Sequence, residues 1–302
     1  MIAERIAHDL ALPSAFIHSV ARTASYEYKT YTIPKRTGGV RTIHHPSRRL
    51  KALQRWLLTN LIERLPTHDT AMGYRIGRST MDNARRHTGS NYLLRLDFSN
   101  FFESITSTDV RAYIADRSHL FSDWLTGDIE FFCSIVCRND ALTIGAPTSP
   151  ALSNVLCFDL DQAIQNYCQV RDVSYTRYAD DLFFSTRTAG ILNSLEAEVT
   201  RICRNLRFPA SLTLNPTKVR HSSKRGARRV TGVVLGSDER AYVGRRLKRM
   251  IRAQIHQLER LSSRERSSLA GLIAYVMGND PSFINSLINK YGIERVREAR
   301  QL

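Results

Sequence analysis

Two adjacent carboxylates, Asp180 and Asp181, sit inside YTRYADDLFFS (175–185), a stretch whose other residues favour a pleated, half-buried surface. Neighbouring side chains in a strand point to opposite faces, so the pair would ordinarily diverge. A tight turn at Ala179–Asp180 suspends that alternation and lets both carboxylates project from a hairpin tip. Such a pair repels itself unless cations lie between the two groups. A third carboxylate, Asp97, closes the apolar run NYLLRLDF (91–98). Three Asp side chains with no His or Cys nearby make a hard-oxygen set suited to Mg²⁺. Two such ions about 3.5–4 Å apart bind both the attacking and the leaving oxygen of a phosphoryl displacement. The alternative, a solvated turn, is disfavoured by the apolar flanks.

Several elements must position these groups. YKTYTIPKRTGGVRTIHHP (28–46) alternates strand formers around Gly38-Gly39 and predicts a hairpin. SRRLKALQRWLLTNLIERL (47–65) has apolar spacings of three and four behind Ser47, the expected helix N-cap. Residues 1–22 read as one or two helices, 107–137 as a helix in two pieces broken near Ser122, and 149–168 as one helix. The 173–186 hairpin, a helix over 190–206, and strands at 211–214 and 229–236 follow. From Gly244 the pattern is helical to the end, broken at Asn279-Asp280-Pro281. This order predicts an α+β fold, a palm-like sheet backed by helices.

Composition narrows the partner. Of 302 residues, 42% are apolar and 24% charged, an ordinary globular balance. Lys+Arg 44 against Asp+Glu 28 leaves a net charge of +16, which points to a polyanion, nucleic acid being the commonest. The five cysteines form no CxxC pair, so reduced core residues are expected rather than zinc or disulfides. Glu4, Arg5 and Asp9 stand where a signal peptide needs an apolar block, and no uncharged apolar run reaches membrane-spanning length. A cytoplasmic protein is expected, with no membrane partner. The helix-like GRRLKRMIRAQIHQLERL (244–261) carries an apolar stripe with Arg245, Arg246, Lys248, Arg249 and Arg252 beside it. Sequence-independent phosphate contacts are the expectation, and a solvated basic face is the alternative. Further basic clusters stand at Arg85-Arg86-His87 and Lys224-Arg225-Arg228-Arg229.

RYADDLFFS, RLDFSNFFESI (95–105) and GAPTSPALSN (145–154), in this order, resemble the reverse transcriptases. The first is similar to their YxDD hairpin, the second to their aspartate strand, and the third to the turn and helix supporting template and incoming nucleotide. NARRH (83–87) and VTG (230–232) further resemble signatures of the bacterial retron enzymes. The resemblance implies a right-hand polymerase: N-terminal helices and fingers over 1–90, palm over 91–235 with a fingers insertion at about 107–147, and a helical thumb and tail over 236–302. It implies that Asp97, Asp180 and Asp181, with the Phe98 carbonyl, hold two Mg²⁺ ions, Mn²⁺ being a substitute. One ion would activate a primer hydroxyl and the other stabilise departing pyrophosphate.

Phe102 stands where the family carries an aromatic steric gate against ribonucleotides, and only one of Phe101 and Phe102 is expected to face the nucleotide. Lys35 and Arg41 flank the Gly38-Gly39 turn as candidate triphosphate clamps, or as solvated hairpin charges. Lys218 occupies the place of a family lysine near the leaving pyrophosphate. Ile144, before Gly145, stands where the family usually has a glutamine, and the resemblance implies that it could only pack against the incoming sugar where an amide would bond it. Asn83, Arg85 and His87 are expected to position RNA. Thr231 and Gly232 are expected near the RNA or primer end, or inside a packed strand.

The function implied is RNA-directed DNA polymerisation that copies part of a cognate structured noncoding RNA from dNTPs. The product would be a 2′,5′-branched RNA–DNA serving antiviral defence beside an effector protein encoded nearby. Two alternatives stay open: a differently primed, group II-like or defence reverse transcriptase, and an RNA-binding scaffold controlling an effector.

Overall fold

In the computed structural model, residues 1–35 and 38–301 are described; Arg36 and Thr37, within the expected hairpin turn, and Leu302 lie outside them. The elements run α1 (Ile2–Asp9), α2 (Ser14–Arg22), β1 (Tyr28–Pro34), β2 (Val40–Pro46), α3 (Arg48–Asn60), α4 (Thr80–Arg85) and β3 (Tyr92–Asp97). They continue with α5 (Ser107–Asp116), α6 (Thr126–Val136), α7 (Ser149–Leu156), α8 (Phe158–Gln169), β4 (Ser174–Tyr178), β5 (Asp181–Thr186) and α9 (Leu195–Asn205). Last come β6 (Arg220–Ser223), β7 (Arg228–Val230), β8 (Val233–Leu235), β9 (Ala241–Tyr242), α10 (Arg245–His256), α11 (Ser263–Asn279), α12 (Pro281–Tyr291) and α13 (Ile293–Glu298). Two compact units result: Met1–Arg78 with Leu94–Phe184 and Gly190–His221, and Ser79–Leu93 with Ser185–Ala189 and Ser222–Leu302.

The first unit holds the greater part of a four-stranded sheet of order β4-β5-β3-β6. Period-two alternation sends Leu94 and Leu96 to one face of β3, where both are fully buried, and Arg95 and Asp97 to the other. Leu182 and Phe184 of β5 are likewise fully buried. β1 and β2 pair antiparallel from Tyr28↔Pro46 to Pro34↔Val40, a hairpin largely exposed along its length. Ser47 caps α3 by accepting from the Leu50 amide. The second unit combines α4, the three-stranded sheet β7-β8-β9 and the helices α10–α13. Asp280 caps α12, with Pro281 at its first position, which explains the break in the helical pattern.

Three expectations change. Residues 149–168 form two helices, interrupted at Cys157, whose ψ of 10° leaves the helical range. Residues 229–236 form a hairpin, because Thr231 and Gly232 both take positive φ, 47° and 86°, as a tight turn requires. Residues 211–214 make only a single bridge, Phe98↔Leu214, because Pro209 and the turn before Leu212 leave too little extended chain to form a ladder. All five cysteines are buried and unbridged. No helix among the described residues is long and apolar enough to cross a membrane.

Candidate active site

The carboxylates are set by backbone bonds between segments remote in sequence. The β4–β5 turn falls on Ala179 and Asp180, with Ala179 at φ 58°. The Asp180 carbonyl accepts the Phe98 amide at 3.0 Å, and the Asp97 carbonyl accepts the Asn215 amide at 2.7 Å. The end of β3 is thus clamped between the hairpin tip and residues 213–215. Asp97 is buried at 2% exposure, and Lys218 Nζ donates to its Oδ1 at 2.6 Å. Arg95, two residues before Asp97 on the same strand face, donates to Asp181 Oδ1 through Nε at 2.9 Å and Nη2 at 2.6 Å.

The electrostatics follow from this crowding. Burial raises the Asp180 carboxyl, and Asp97 raises it further, while Lys218 and Arg41 oppose the rise. Burial pushes Asp181 up to about 7 against the pull of Arg95, with Asp180 and a hydrogen bond to Asp97 adding to the rise. Burial outweighs the nearby cations at both groups, an environment that a divalent cation relieves. Among the described residues, no three His, Cys, Asp or Glu side chains are gathered as a ready cage for a metal ion. Lys218 and Arg95 hold two of the three carboxylates instead. The donor set, carboxylate oxygen alone, still fits a hard ion.

A buried network, absent from the sequence expectations, braces this turn. Arg177 and Asp161 are both 0% exposed and pair bidentately, Nε to Oδ1 at 2.8 Å and Nη2 to Oδ2 at 2.6 Å. Arg177 Nη1 also donates to Asn154 Oδ1 at 3.0 Å and to the Ala179 carbonyl at 3.3 Å. Tyr175, on the same strand face as Arg177, donates to Asp161 Oδ1 at 2.8 Å. Asn154 Nδ2 reaches the Gly73 carbonyl at 2.8 Å. Helices α7 and α8 thereby hold both the hairpin and the segment before Tyr74. The available signal was an arginine between the aromatic residues of a strand and Asp161 spaced by three and seven from the buried Ile164 and Cys168 of an amphipathic helix, since buried charges come paired.

The candidate nucleotide residues lie in the same unit. Phe101 is buried at 5% exposure and stacked on Phe98 at 5.8 Å, whereas Phe102 is half-buried and lies 6.3 Å from the Tyr74 ring. Phe98 itself is 2% exposed. Arg41 is exposed and near enough to act on Asp180 and Tyr74. Lys35 is exposed at the hairpin end, its amide bonded to the Gly39 carbonyl at 2.9 Å. Ile144 is half-buried, and its carbonyl accepts the His44 amide at 2.8 Å. Gly145 has φ 112°, and a Cβ there would stand 2.5 Å from the His44 carbonyl oxygen.

In the second unit the two short signatures meet. Thr231 Oγ1, at the β7–β8 turn, donates to the Thr80 carbonyl of α4 at 3.1 Å, and Gly232 is exposed beside it. Asn83 and His87 are each 0% exposed, which corrects the expectation of RNA contact by these side chains. They face inward because α4 packs that side onto the β7–β9 sheet and Ser185, whose Oγ lies 2.8 Å from His87 Nδ1. Burial drives His87 down to about 3. Arg85 is exposed and paired with Asp82 at 3.0 Å. On α10, Arg245, Arg246 and Arg249 are exposed and Arg252 is half-buried over the Phe283 ring. Lys248 instead turns inward to Asp280 at 2.7 Å, tying α10 to α12. Arg228 is 1% exposed and bonded to Ser90 and Gly236, so it is structural.

Comparison with known proteins accords with this geometry. Residues 33–247 match the family described as reverse transcriptase (RNA-dependent DNA polymerase). The retron Ec83 reverse transcriptase of Escherichia coli is 35% identical over 96% of this chain and 95% of its own length. The retron Ec86 reverse transcriptase of the same organism is 33% identical over 92% and 87%. The retron Mx65 reverse transcriptase of Myxococcus xanthus is 35% identical over 84% of this chain and 62% of its own. Among solved structures, telomerase from Candida albicans in complex with a TWJ fragment of telomeric RNA superposes with a TM-score of 0.52 at 11% identity. That match covers 90% of this chain and 59% of the telomerase, and it shows a shared fold alone.

Proposed function

Because the chain belongs to the reverse transcriptase family and is an RNA-directed DNA polymerase of the retron type, we propose that it copies part of a cognate structured noncoding RNA into single-stranded DNA. Synthesis starts from a 2′-hydroxyl of that RNA and leaves a branched RNA–DNA, used in antiviral defence with an effector protein encoded nearby. The observation that carries this reading is the near full-length similarity to a retron enzyme, 96% of one chain against 95% of the other.

In this reading Asp97, Asp180 and Asp181, with the Phe98 carbonyl, hold two Mg²⁺ ions, and Mn²⁺ substitutes. Such ions would supply Lewis-acid activation of the primer hydroxyl and charge neutralisation at the triphosphate. Lys218, already on Asp97 at 2.6 Å, exchanges that partner for the leaving pyrophosphate and supplies its proton. Arg41 and Lys35 grip the triphosphate, Phe102 excludes a 2′-hydroxyl, and Ile144 and Gly145 line the sugar side. Residues 1–90 and about 107–147 act as fingers, 91–235 as palm and 236–302 as thumb. Arg85, Arg245, Arg246, Arg249 and Arg252 contact phosphates, and Thr231 and Gly232 approach the RNA. Asn83 and His87 serve by holding α4 in place.

The test is to purify the protein expressed with its native flanking locus and extract the bound nucleic acid. That material is compared with the Asp180→Asn/Asp181→Asn variant, before and after RNase and a 2′,5′-debranching enzyme. DNA joined to RNA that shifts on debranching and vanishes in the variant is the expected result. Free DNA insensitive to debranching refutes branched priming.

A further inference from the structure

Tyr74 takes a backbone conformation that its residue type seldom adopts. Its φ is 60°, the left-handed region that a bulky side chain rarely enters. Strain of this kind persists only where surrounding structure over-determines it, and it concentrates at functional sites. The surroundings here do so. Residues 70–73 run alongside β4, with the Arg177 amide on the Thr70 carbonyl at 2.8 Å and the Met72 amide on the Arg177 carbonyl at 2.7 Å. Gly73 is pressed so closely to the hairpin that a Cβ would stand 2.9 Å from the Ala179 nitrogen. Arg75 Nη1 closes the loop behind, on the His68 carbonyl at 3.0 Å and the Ala71 carbonyl at 3.3 Å.

All this bonding delivers a ring that is not put away in the core. Tyr74 is 47% exposed, its centroid 6.3 Å from Phe102 and 6.5 Å from Tyr178. It stands near enough to Asp180, Asp181 and Arg41 for each to act on its hydroxyl. The ring is exposed beside two carboxylates, Asp180 and Asp181, and next to the residue expected to meet the sugar. We propose that Tyr74 is a specificity-determining residue whose ring, with Phe102, forms a wall of the surface receiving the incoming deoxynucleoside triphosphate. The inference rests on the polymerase reading above and adds a contact to it.

The strain itself supplies the test. Glycine adopts positive φ without penalty and asparagine tolerates it. Tyr74→Gly and Tyr74→Asn therefore relieve the backbone while removing the ring. Both, with Tyr74→Phe, are measured by thermal melting and by steady-state extension of a primed RNA template with dNTPs and rNTPs. The glycine variant is expected to melt at or above the wild-type temperature. Its KM for dNTP rises about tenfold, equivalent to ~1.4 kcal/mol, with kcat little changed, the signature of lost uniform binding. Preference for dNTP over rNTP falls, and Tyr74→Phe retains both parameters. Unchanged KM and preference in both the Gly and Asn variants of an active enzyme would overturn the proposal. A folded wild type that extends no primer defeats the polymerase reading itself and removes the inference with it.

Discussion

Removing Arg177 tests whether the buried ion pair positions the Asp180–Asp181 turn. Arg177→Met takes away four hydrogen bonds: two to Asp161, one to Asn154 and one to the Ala179 carbonyl. It leaves Asp161, 0% exposed, with the Tyr175 hydroxyl as its remaining side-chain donor among those described. Stranding one member of a buried pair costs about 3–5 kcal/mol, whereas replacing both by apolar groups of similar size is often neutral. Arg177→Met is therefore expected to lower the unfolding free energy by roughly that 3–5 kcal/mol, and Arg177→Met/Asp161→Leu to recover most of it. Urea unfolding of the two single variants, the double variant and the wild type gives the coupling energy directly. Primer extension at a temperature where all four remain folded gives the functional share. Turnover should stay low even in the stable double variant, because the Ala179 carbonyl has lost its anchor and the Asp180–Asp181 turn is no longer held. A single-substitution cost under about 1 kcal/mol, two losses that simply add, or normal turnover by the double variant would refute positioning by the ion pair.

Other consequences are as specific. His87 is driven to about 3, whereas an unfolded chain takes up that proton near 6.5. The unfolded state then binds more protons, so stability falls as pH drops below 6.5, by ~2 kcal/mol at pH 5. His87→Gln should remove that part of the difference between urea midpoints at pH 7.5 and pH 5, and an unaltered difference refutes it. Gly145→Ala places a Cβ 2.5 Å from the His44 carbonyl oxygen at φ 112°, and thermal melting should show a loss of about 1–3 kcal/mol. Lys248→Met should lower the melting temperature yet leave the salt dependence of nucleic-acid binding unchanged, because its amine faces Asp280. Arg249→Ala should do the reverse, reducing the slope of log affinity against log salt by about one.

The legibility of the site in the chain varied with the range of the interactions. The turn at Ala179–Asp180 followed from two carboxylates amid strand formers, since alternation and self-repulsion are local rules. The Ser47 cap and the Asp280-Pro281 break were equally local. The Thr231-Gly232 turn was harder, because a strand reading and a turn reading share the flanking valines. Asn83 and His87 looked like surface polar groups, and only their packing under the β7–β9 sheet made them interior. Lys248 and its four arginine neighbours are indistinguishable by charge, and the proximity of Asp280 separates one from the rest.

The sequence by itself pointed to the α+β class, the candidate carboxylates and a polyanionic partner, because each rests on residue type, short-range period or total charge, and its ordered motifs carried the resemblance to the family. The tertiary structure alone decided which charges face solvent and which face each other. Arg95 on Asp181, Lys218 on Asp97, Arg177 on Asp161 and the exposed, strained Tyr74 ring are all consequences of distance between remote segments. Electrostatic and desolvation energies depend on that distance and on burial, and neither is a property of the residues taken in order.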